Sequence, residues 1–505
     1  MTVEVAARAE FEGLIQQRLE TLRDDDLIAR IWERDHTVWR EEPDEIADRL
    51  GWLEAPRRAR AEVEGLRSFA GQAAADGLTH AVVLGMGGSS LAPEVFARVF
   101  GTAPGMLELS VLDTTHPDAI AAFESTVPLD RTLFVVSSKS GTTIETRSHL
   151  GYFWDRVGDG SRFVAVTDPG TPLESAALEL GFRRVFTAPA DVGGRYSALT
   201  AFGLLPAALL GVDLDALVDE AEWAAEACRA APAEGRNPGA FLGAMWGEAV
   251  AAGRDKLTLT GPEGLAPAGA WVEQLVAEST GKDGTGILPV DDEPPGPAES
   301  YGDDRVFLGI GERPATEPWA ALSLDRAESL GGAFFVLEFA TAVAGHILGI
   351  QPFDQPDVQS AKDRTAEVLA GEVPDEPDGD LDALLGSVRP GDYVAIQAFV
   401  PPSEEAWAEL QAARARIRDR LGVATTLGYG PRYLHSTGQL HKGGPNTGVF
   451  VQVFEEPKED REVPGEAFTF GRLIAAQAAG DLAALRGRGR RAARVSRDAL
   501  VAWGT

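Results

Sequence analysis

Ala81-Val82-Val83-Leu84-Gly85-Met86-Gly87-Gly88-Ser89-Ser90-Leu91 reads as a short apolar strand, a glycine-rich turn and the opening of a helix. The same pattern recurs downstream. Apolar runs at Leu107 to Leu112, Thr132 to Val136 and Phe163 to Val166 are separated by helical stretches such as Leu91 to Phe100 and Leu173 to Leu180. Strands alternating with helices of this length predict an α/β unit with a mainly parallel sheet, because parallel neighbours need a crossover helix between them.

Outward from this unit, assigned to residues 78–240, the chain divides further. Residues 1–77 are charged, Leu/Ala/Trp-patterned and poor in breakers, which predicts an N-terminal helical region devoted to packing. A long Ala-rich helical region, Ala201 to Gly253, is broken near Asn237-Pro238-Gly239. Strand-like runs then resume at Lys256 to Thr260, Gly286 to Val290, Arg305 to Leu308, Tyr393 to Val400 and Val449 to Phe454, predicting a second α/β unit over 241–420. The Asp/Glu/Pro/Gly stretches Asp291 to Ala298 and Gly371 to Gly379 read as exposed loops. Residues 421–505 form a C-terminal segment whose basic part, after Phe468, reads as a helical tail.

Composition limits the function. At 505 residues and 44% hydrophobic content the chain is long and apolar enough for several globular cores, at roughly 100–200 residues per domain. The single cysteine, Cys228, removes disulfide scaffolds and Cys-rich zinc modules, and fits a reducing cytosol. The N-terminus lacks the pattern of a secretion signal. The longest strongly apolar stretch is read as Phe202 to Val212, short of the ~20 residues that span a bilayer, so a cytoplasmic protein without a membrane partner is expected. A net charge of −32 disfavours broad nucleic-acid binding while leaving room for a small phosphorylated ligand held by a local nest of donors. The basic run Arg486 to Arg497 could be a nucleic-acid tail or an intramolecular or subunit contact.

Only six of the 46 basic residues are lysine, and four of them (Lys139, Lys282, Lys362 and Lys442) stand in or beside turn- and donor-rich stretches. A compact ammonium is wanted there in place of a guanidinium fork. The Gly85 to Ser90 turn presents backbone N–H groups at a helix start, suited to an anion or a sugar hydroxyl, or it is a tight strand-to-helix turn without a ligand. Ser137-Ser138-Lys139-Ser140-Gly141-Thr142-Thr143 offers five hydroxyls and one ammonium before a further helix, an inventory that suits a phosphate dianion or a well-capped helix. Two such turns at the carboxyl ends of strands in one sheet occupy the place where open α/β sheets bind ligands. Arg195, after Gly193-Gly194, could stabilise a developing oxyanion or simply begin a helix. Gln274 and Glu278 share a helix face at i,i+4, where the carboxylate could serve as a general base or stand solvated near a helix end. Pro356 suits a first helical position with Gln355 as its cap, and Lys362 follows about two turns along the same face.

Taken in order, GMGGSSLAP, SSKSGTT-x-ET, GGRYS, the Gln-x3-Glu-Ser-x-Gly-Lys helix and FDQ-x6-Lys resemble glucose-6-phosphate isomerase. They span Gly85 to Lys362, and much of the remainder looks like the isomerase half of fused transaldolase/glucose-6-phosphate isomerase proteins. The resemblance implies two sugar isomerase (SIS) domains, a homodimer, and metal-free, cofactor-free interconversion of glucose 6-phosphate and fructose 6-phosphate through a cis-enediolate. By motif position it implies phosphate binding by Ser138, Lys139, Ser140 and Thr143, a sugar site lined by Gly88 and Ser89, and substrate contacts from Gln274 and Gln355. Glu278 would shuttle the proton, Arg195 would stabilise the enediolate and Lys362 would assist ring opening. One departure stands out. The family normally takes a ring-opening histidine from the neighbouring subunit, and Leu324 to Gly331, the segment where many bacterial members carry it, has none. His441 and His435 are the substitutes, with His346 a distant third. Competing readings are an isomerase that also accepts mannose 6-phosphate, and a non-enzymatic phosphosugar-binding regulator.

Overall fold

The computed structural model describes residues 2–5, 9–231, 237–311, 320–371, 374 and 378–504, with backbone alone at 2–5, 9–10 and 358–363. In chain order the described strands are β1 (Thr2–Val5), β2 (His80–Leu84), β3 (Glu108–Leu112), β4 (Thr132–Ser137), β5 (Phe163–Thr167), β6 (Arg184–Thr187), β7 (Lys256–Thr260), β8 (Leu288–Val290), β9 (Arg305–Ile310), β10 (Ala320–Ser323), β11 (Tyr393–Phe399), β12 (Ala424–Tyr429), β13 (Gly448–Phe454) and β14 (Arg491–Val495). They fall in three sheets with the orders β3-β2-β4-β5-β6, β1-β10-β9-β7-β8 and β12-β11-β13-β14. Every pairing is parallel except that of β1 with β10.

The central strands read from the sequence are present because their residues are covered on both faces. β4 and β5 are buried throughout, which is why they appear as unbroken apolar runs. In the first sheet, β6 at the edge has no fully buried residue, and its sequence Arg-Val-Phe-Thr carries no comparable run. The strands expected to form one second α/β unit fall in two sheets: β7, β8 and β9 lie in the second, with β1 from the N-terminal region expected to be helical at its edge, whereas β11 and β13 lie in the third. The third draws β11 together with strands that the apolar pattern left unmarked, β12 and β14.

One continuous core joins the N-terminal helices, one face of the first sheet and the helices between residues 201 and 347. The helix Leu330–Ile347 runs through it and is buried over Leu330 to Gly345. By length and composition Ala327–Ile347 is apolar enough to cross a bilayer, which the sequence reading overlooked, and 89% of its apolar window is buried inside the protein. A helix apolar on all sides is required there, since each Leu, Val or Phe fully removed from water contributes roughly 1.5–3 kcal/mol. The third sheet has its own core of Val394, Ile396, Leu410, Ile417, Val449 and Val451 among others.

Two charged segments differ from expectation. Asp291 to Ala298, read as an exposed loop, contains Glu293, whose side chain is 2% exposed. Its Oε1 accepts from Arg305 Nη2 (3.0 Å) and Thr425 Oγ1 (2.8 Å), joining the second and third sheets. Burial raises the Glu293 carboxyl, but Arg305 and Arg414 outweigh it and hold the group below its ordinary range. The basic stretch after Phe468 is not one helical tail: the helices Phe470–Gly487 and Arg497–Ala502 are separated by β14, Arg491–Val495. Its arginines are engaged within the chain. Arg488 pairs with Asp357 (2.5 Å), Arg491 with Asp392 (2.7 Å) and Arg497 with Glu455 (2.9 Å), while Arg490 donates to the carbonyls of Lys442 and Gly444 (2.7 Å each). The intramolecular alternative for this run is the one observed. Of the second stretch read as a loop, Gly371 to Gly379, residues 372–373 and 375–377 lie outside the described residues.

Candidate active site

In the first sheet the chain runs from β2 outward to β3 and returns to β4 on the other side of β2, so the order reverses between β2 and β4. The crevice at such a reversal is where ligands enter open α/β sheets. The Gly85 to Ser90 turn follows β2 and the Ser137 to Thr143 loop follows β4, and both open onto one cavity of about 660 Å³. Its lining includes Gly88, Ser89, Lys139, Ser140, Thr143, Arg195, Gln274, Glu278, Gln355 and His435. Those are ten of the residues expected from the sequence, brought together from six separate stretches.

At the phosphate-type end the loop is internally braced. Ser138 Oγ accepts from Gly141 N (3.1 Å) and shares a hydrogen bond with Thr143 Oγ1 (3.0 Å), so Ser138 supports the loop from just beneath the cavity wall. Gly141 turns the loop at φ +67°, and Thr143 precedes the helix Ile144–Val157. Lys139 Nζ pairs with the Asp168 carboxylate and donates to the Ala190 carbonyl (3.2 Å), which holds the ammonium at the rim. On the facing wall Gly88 lies against the carbonyl of Gly194, where a methyl group would collide with the backbone. Gly88→Ala is therefore expected to push the glycine turn and Arg195 apart. Loss of turnover together with a lower melting temperature is the expected result; a variant as active as the parent would show that the approach is not needed.

The reacting end is assembled from three stretches. The helix Ala268–Thr280 presents Gln274 and Glu278 one turn apart. Gln274 Nε2 donates to Glu278 Oε2 (3.0 Å) and to the His435 carbonyl (2.8 Å). Arg195 Nη1 lies 3.3 Å from Glu278 Oε1. The arginine is 3% exposed, and its other bonds go to Ser279 Oγ (2.8 Å), Gln355 Oε1 (2.7 Å) and the carbonyls of Pro352 (2.8 Å) and Asp354 (2.9 Å). A guanidinium fork can satisfy all of these in one plane. Lys282 supports the same loop from behind: its Nζ donates to the Gln351 carbonyl (2.6 Å) and pairs with Asp354 (2.6 Å). Burial, with Arg195 beside it, pushes the Lys282 ammonium down to about 7 against the pull of Asp354. Lys362 belongs to the helix Pro356–Ala370, and its side chain lies outside the described residues.

The two histidine candidates part here. His435 lines the cavity, and its Nε2 stands 3.0 Å from Glu145 Oε1. His441 is 3% exposed among Tyr393, Tyr433 and Phe450, away from the cavity. Burial, reinforced by Lys442 and Arg490, drives its ring well below the usual histidine range, toward the neutral form. The helix Gly438–Gly443 turns His441 toward the third sheet, where it packs against Tyr393 and Phe450 and does not line the cavity. His346 bonds the Val38 carbonyl (2.7 Å) in the N-terminal region.

Sequence reasoning missed several contributors, Asp168 and Asp191 among the lining residues. Asp48 and Arg49 line the cavity although they belong to the N-terminal region read as packing alone, and Glu145 was quoted within its motif without a role. Nothing local marks Asp48 and Arg49. Glu145 stands in the first turn of a helix, where a carboxylate is ordinary.

The fold is α/β, with parallel sheets flanked by helices as in SIS-type phosphosugar isomerases. Residues 55–287 match the family model described as phosphoglucose isomerase. The chain is 36% identical to a glucose-6-phosphate isomerase of Synechococcus sp. (strain JA-3-3Ab) over 258 residues, 46% of this chain and 48% of that one. It is 28% identical to that of Rubrobacter xylanophilus over 388 residues, 63% of this chain and 88% of that one. The match to the Synechococcus protein thus spans about half of that relative's length. Among solved structures, a glucose-6-phosphate isomerase from Chlamydia trachomatis shares the fold at TM-score 0.61 and 18% identity, covering 73% of this chain and 88% of that one. Over the matched residues the chain is thus similar to glucose-6-phosphate isomerases.

Proposed function

We propose that the protein interconverts glucose 6-phosphate and fructose 6-phosphate through a cis-enediolate. The observation that carries this reading is the pairing of Glu278 and Arg195 at 3.3 Å in the same cavity as the Lys139 loop. Phosphate is held by Lys139, Ser140, Thr143 and the backbone of the Ser138 loop, and Gly88, Ser89, Gln274 and Gln355 contact the sugar. In the open-chain aldose the Glu278 carboxylate takes the C2 proton. The C–H electron pair becomes the C1–C2 double bond, and the carbonyl pair moves onto O1. Arg195 stabilises that oxygen charge, because a fixed cation in a largely dry site acts without reorganising. Returning the proton to C1, with the hydroxyl proton passing from O2 to O1, gives the ketose.

Ring opening falls to His435, with Lys362 assisting. This histidine is the chain's own, where the family pattern takes one from the neighbouring subunit. Support comes from its place on the cavity wall and the Glu145 carboxylate behind it.

The direct test is fructose 6-phosphate turnover in excess EDTA, followed by a coupled glucose-6-phosphate dehydrogenase. Turnover that survives chelation is expected, and binding without turnover would move the reading to a phosphosugar-binding regulator. Lys139→Ala should raise KM about 10-fold or more with a smaller effect on kcat, since a charge-assisted phosphate contact is made equally in ground and transition states. An unchanged KM would remove Lys139 from phosphate binding.

A further inference from the structure

The His435–Glu145 contact is part of a longer buried chain that the proposed reaction leaves unused. Gln477, on the helix Phe470–Gly487, donates from Nε2 to Glu145 Oε1 (2.7 Å), the same oxygen that faces His435 Nε2. Its own Oε1 accepts from Thr115 Oγ1 (2.7 Å), in the loop after β3. Thr115 is 0% exposed, Gln477 2% and Glu145 4%. The helix that carries Gln477 also carries Asp481, which accepts from Tyr433 Oη (2.6 Å) and pairs with Lys442 (2.5 Å) on either side of the histidine turn.

Each bond in this chain sets the direction of the next. A threonine hydroxyl can rotate to donate or accept, whereas a side-chain amide has one donating and one accepting end. With Thr115 donating to Gln477 Oε1, the amide must turn its N–H toward Glu145, and the Glu145 oxygen then accepts from both Gln477 and His435. An accepting oxygen opposite Nε2 places the ring proton of the neutral imidazole on Nε2 and leaves the lone pair on Nδ1. Without the hydroxyl the buried Gln477 Oε1 is left without its donor, so the amide shifts in search of another and its hold on Glu145, and through it on the histidine, loosens. Low dielectric makes such a buried chain sensitive to the loss of any member.

We infer that Thr115 and Gln477 are positioning residues that fix the orientation and tautomer of His435 through Glu145, so that the C-terminal helix Phe470–Gly487 takes part in ring opening from outside the cavity. The inference rests on the assignment of ring opening to His435.

Enzyme-catalysed exchange between the α and β anomers of glucose 6-phosphate, measured by NMR, isolates ring opening because it does not require the enediolate. Full-length His435→Ala, Gln477→Leu, Thr115→Val and Thr115→Ser are compared, with phosphosugar affinity and the 15N tautomer signature of His435 as parallel readouts. His435→Ala should lose about 100-fold or more in exchange, the scale of a lost general acid–base group. Gln477→Leu and Thr115→Val should each lose about 10-fold at unchanged affinity, with the ring proton redistributed between Nε2 and Nδ1, as expected for a misplaced catalytic group. Thr115→Ser should behave like the parent. A packing role predicts the reverse order, because valine keeps the shape of threonine and serine does not. If His435→Ala exchanges anomers at the parental rate, the assignment of ring opening falls and the inference falls with it. If His435→Ala fails while Gln477→Leu and Thr115→Val match the parent, or serine is worse than valine, the positioning role alone is overturned.

Discussion

Glu278→Gln is expected to lower kcat by about 10³-fold while phosphosugar affinity stays within a few-fold of the parent, because a general base is worth 10²–10⁴ and the amide keeps the shape of the carboxylate. The local structure should survive the change. Gln274 Nε2, which donates to Glu278 Oε2 at 3.0 Å, can donate equally to an amide oxygen. What disappears is the capacity to accept and return a carbon-bound proton. The same variant should therefore lose exchange of the C2 hydrogen with solvent deuterium. Anomer exchange, which depends on His435 in the scheme above, should persist. Turnover within 10-fold of the parent would place the base elsewhere in the cavity.

Arg195→Lys should be nearly as damaging, with kcat down by about 10²–10³ despite the retained charge, on the scale found when a fixed oxyanion donor is removed. A lysine ammonium cannot reach Ser279 Oγ, Gln355 Oε1 and the Pro352 and Asp354 carbonyls together, as the guanidinium does. Each buried carbonyl left without a donor costs about 1–3 kcal/mol, so a lower melting temperature should accompany the loss of rate. The loop that caps the helix Pro356–Ala370 hangs on those bonds, and Gln355 should be displaced with it. A lysine variant within a few-fold of parental kcat would mean that positive charge alone suffices and that the fork geometry is incidental.

The parts of the site that were legible in the sequence are the turns and helix starts. The Gly85 to Ser90 and Ser137 to Thr143 stretches place their donors through local geometry, so residue order alone specifies what they present. Gln274 and Glu278 were legible because i,i+4 spacing puts them on one helix face whatever the helix packs against. The choice between His435 and His441 was not legible. The two lie six residues apart in one Gly/Ser-rich stretch. Only the path of the chain, a short turn over Arg432–His435 followed by the helix Gly438–Gly443, sends the first to the cavity and the second among aromatic rings.

By itself, then, the sequence determined the parallel α/β layering, since strands buried on both faces must be continuous apolar runs separated by helices, and it determined the chemistry of the individual loops. Tertiary structure decided which loops meet. It placed β2 and β4 at the reversal of strand order, brought Arg195 onto Glu278 from 83 positions away in the chain, and drew Asp48, Arg49 and the C-terminal Gln477 toward a site whose motifs end at Lys362. It also absorbed the basic run Arg486 to Arg497 into ion pairs and carbonyl contacts within the chain. The reason is one of range. Backbone geometry and side-chain periodicity act over a few residues, whereas a cavity wall is set by the packing of elements whose separation along the chain leaves no local trace.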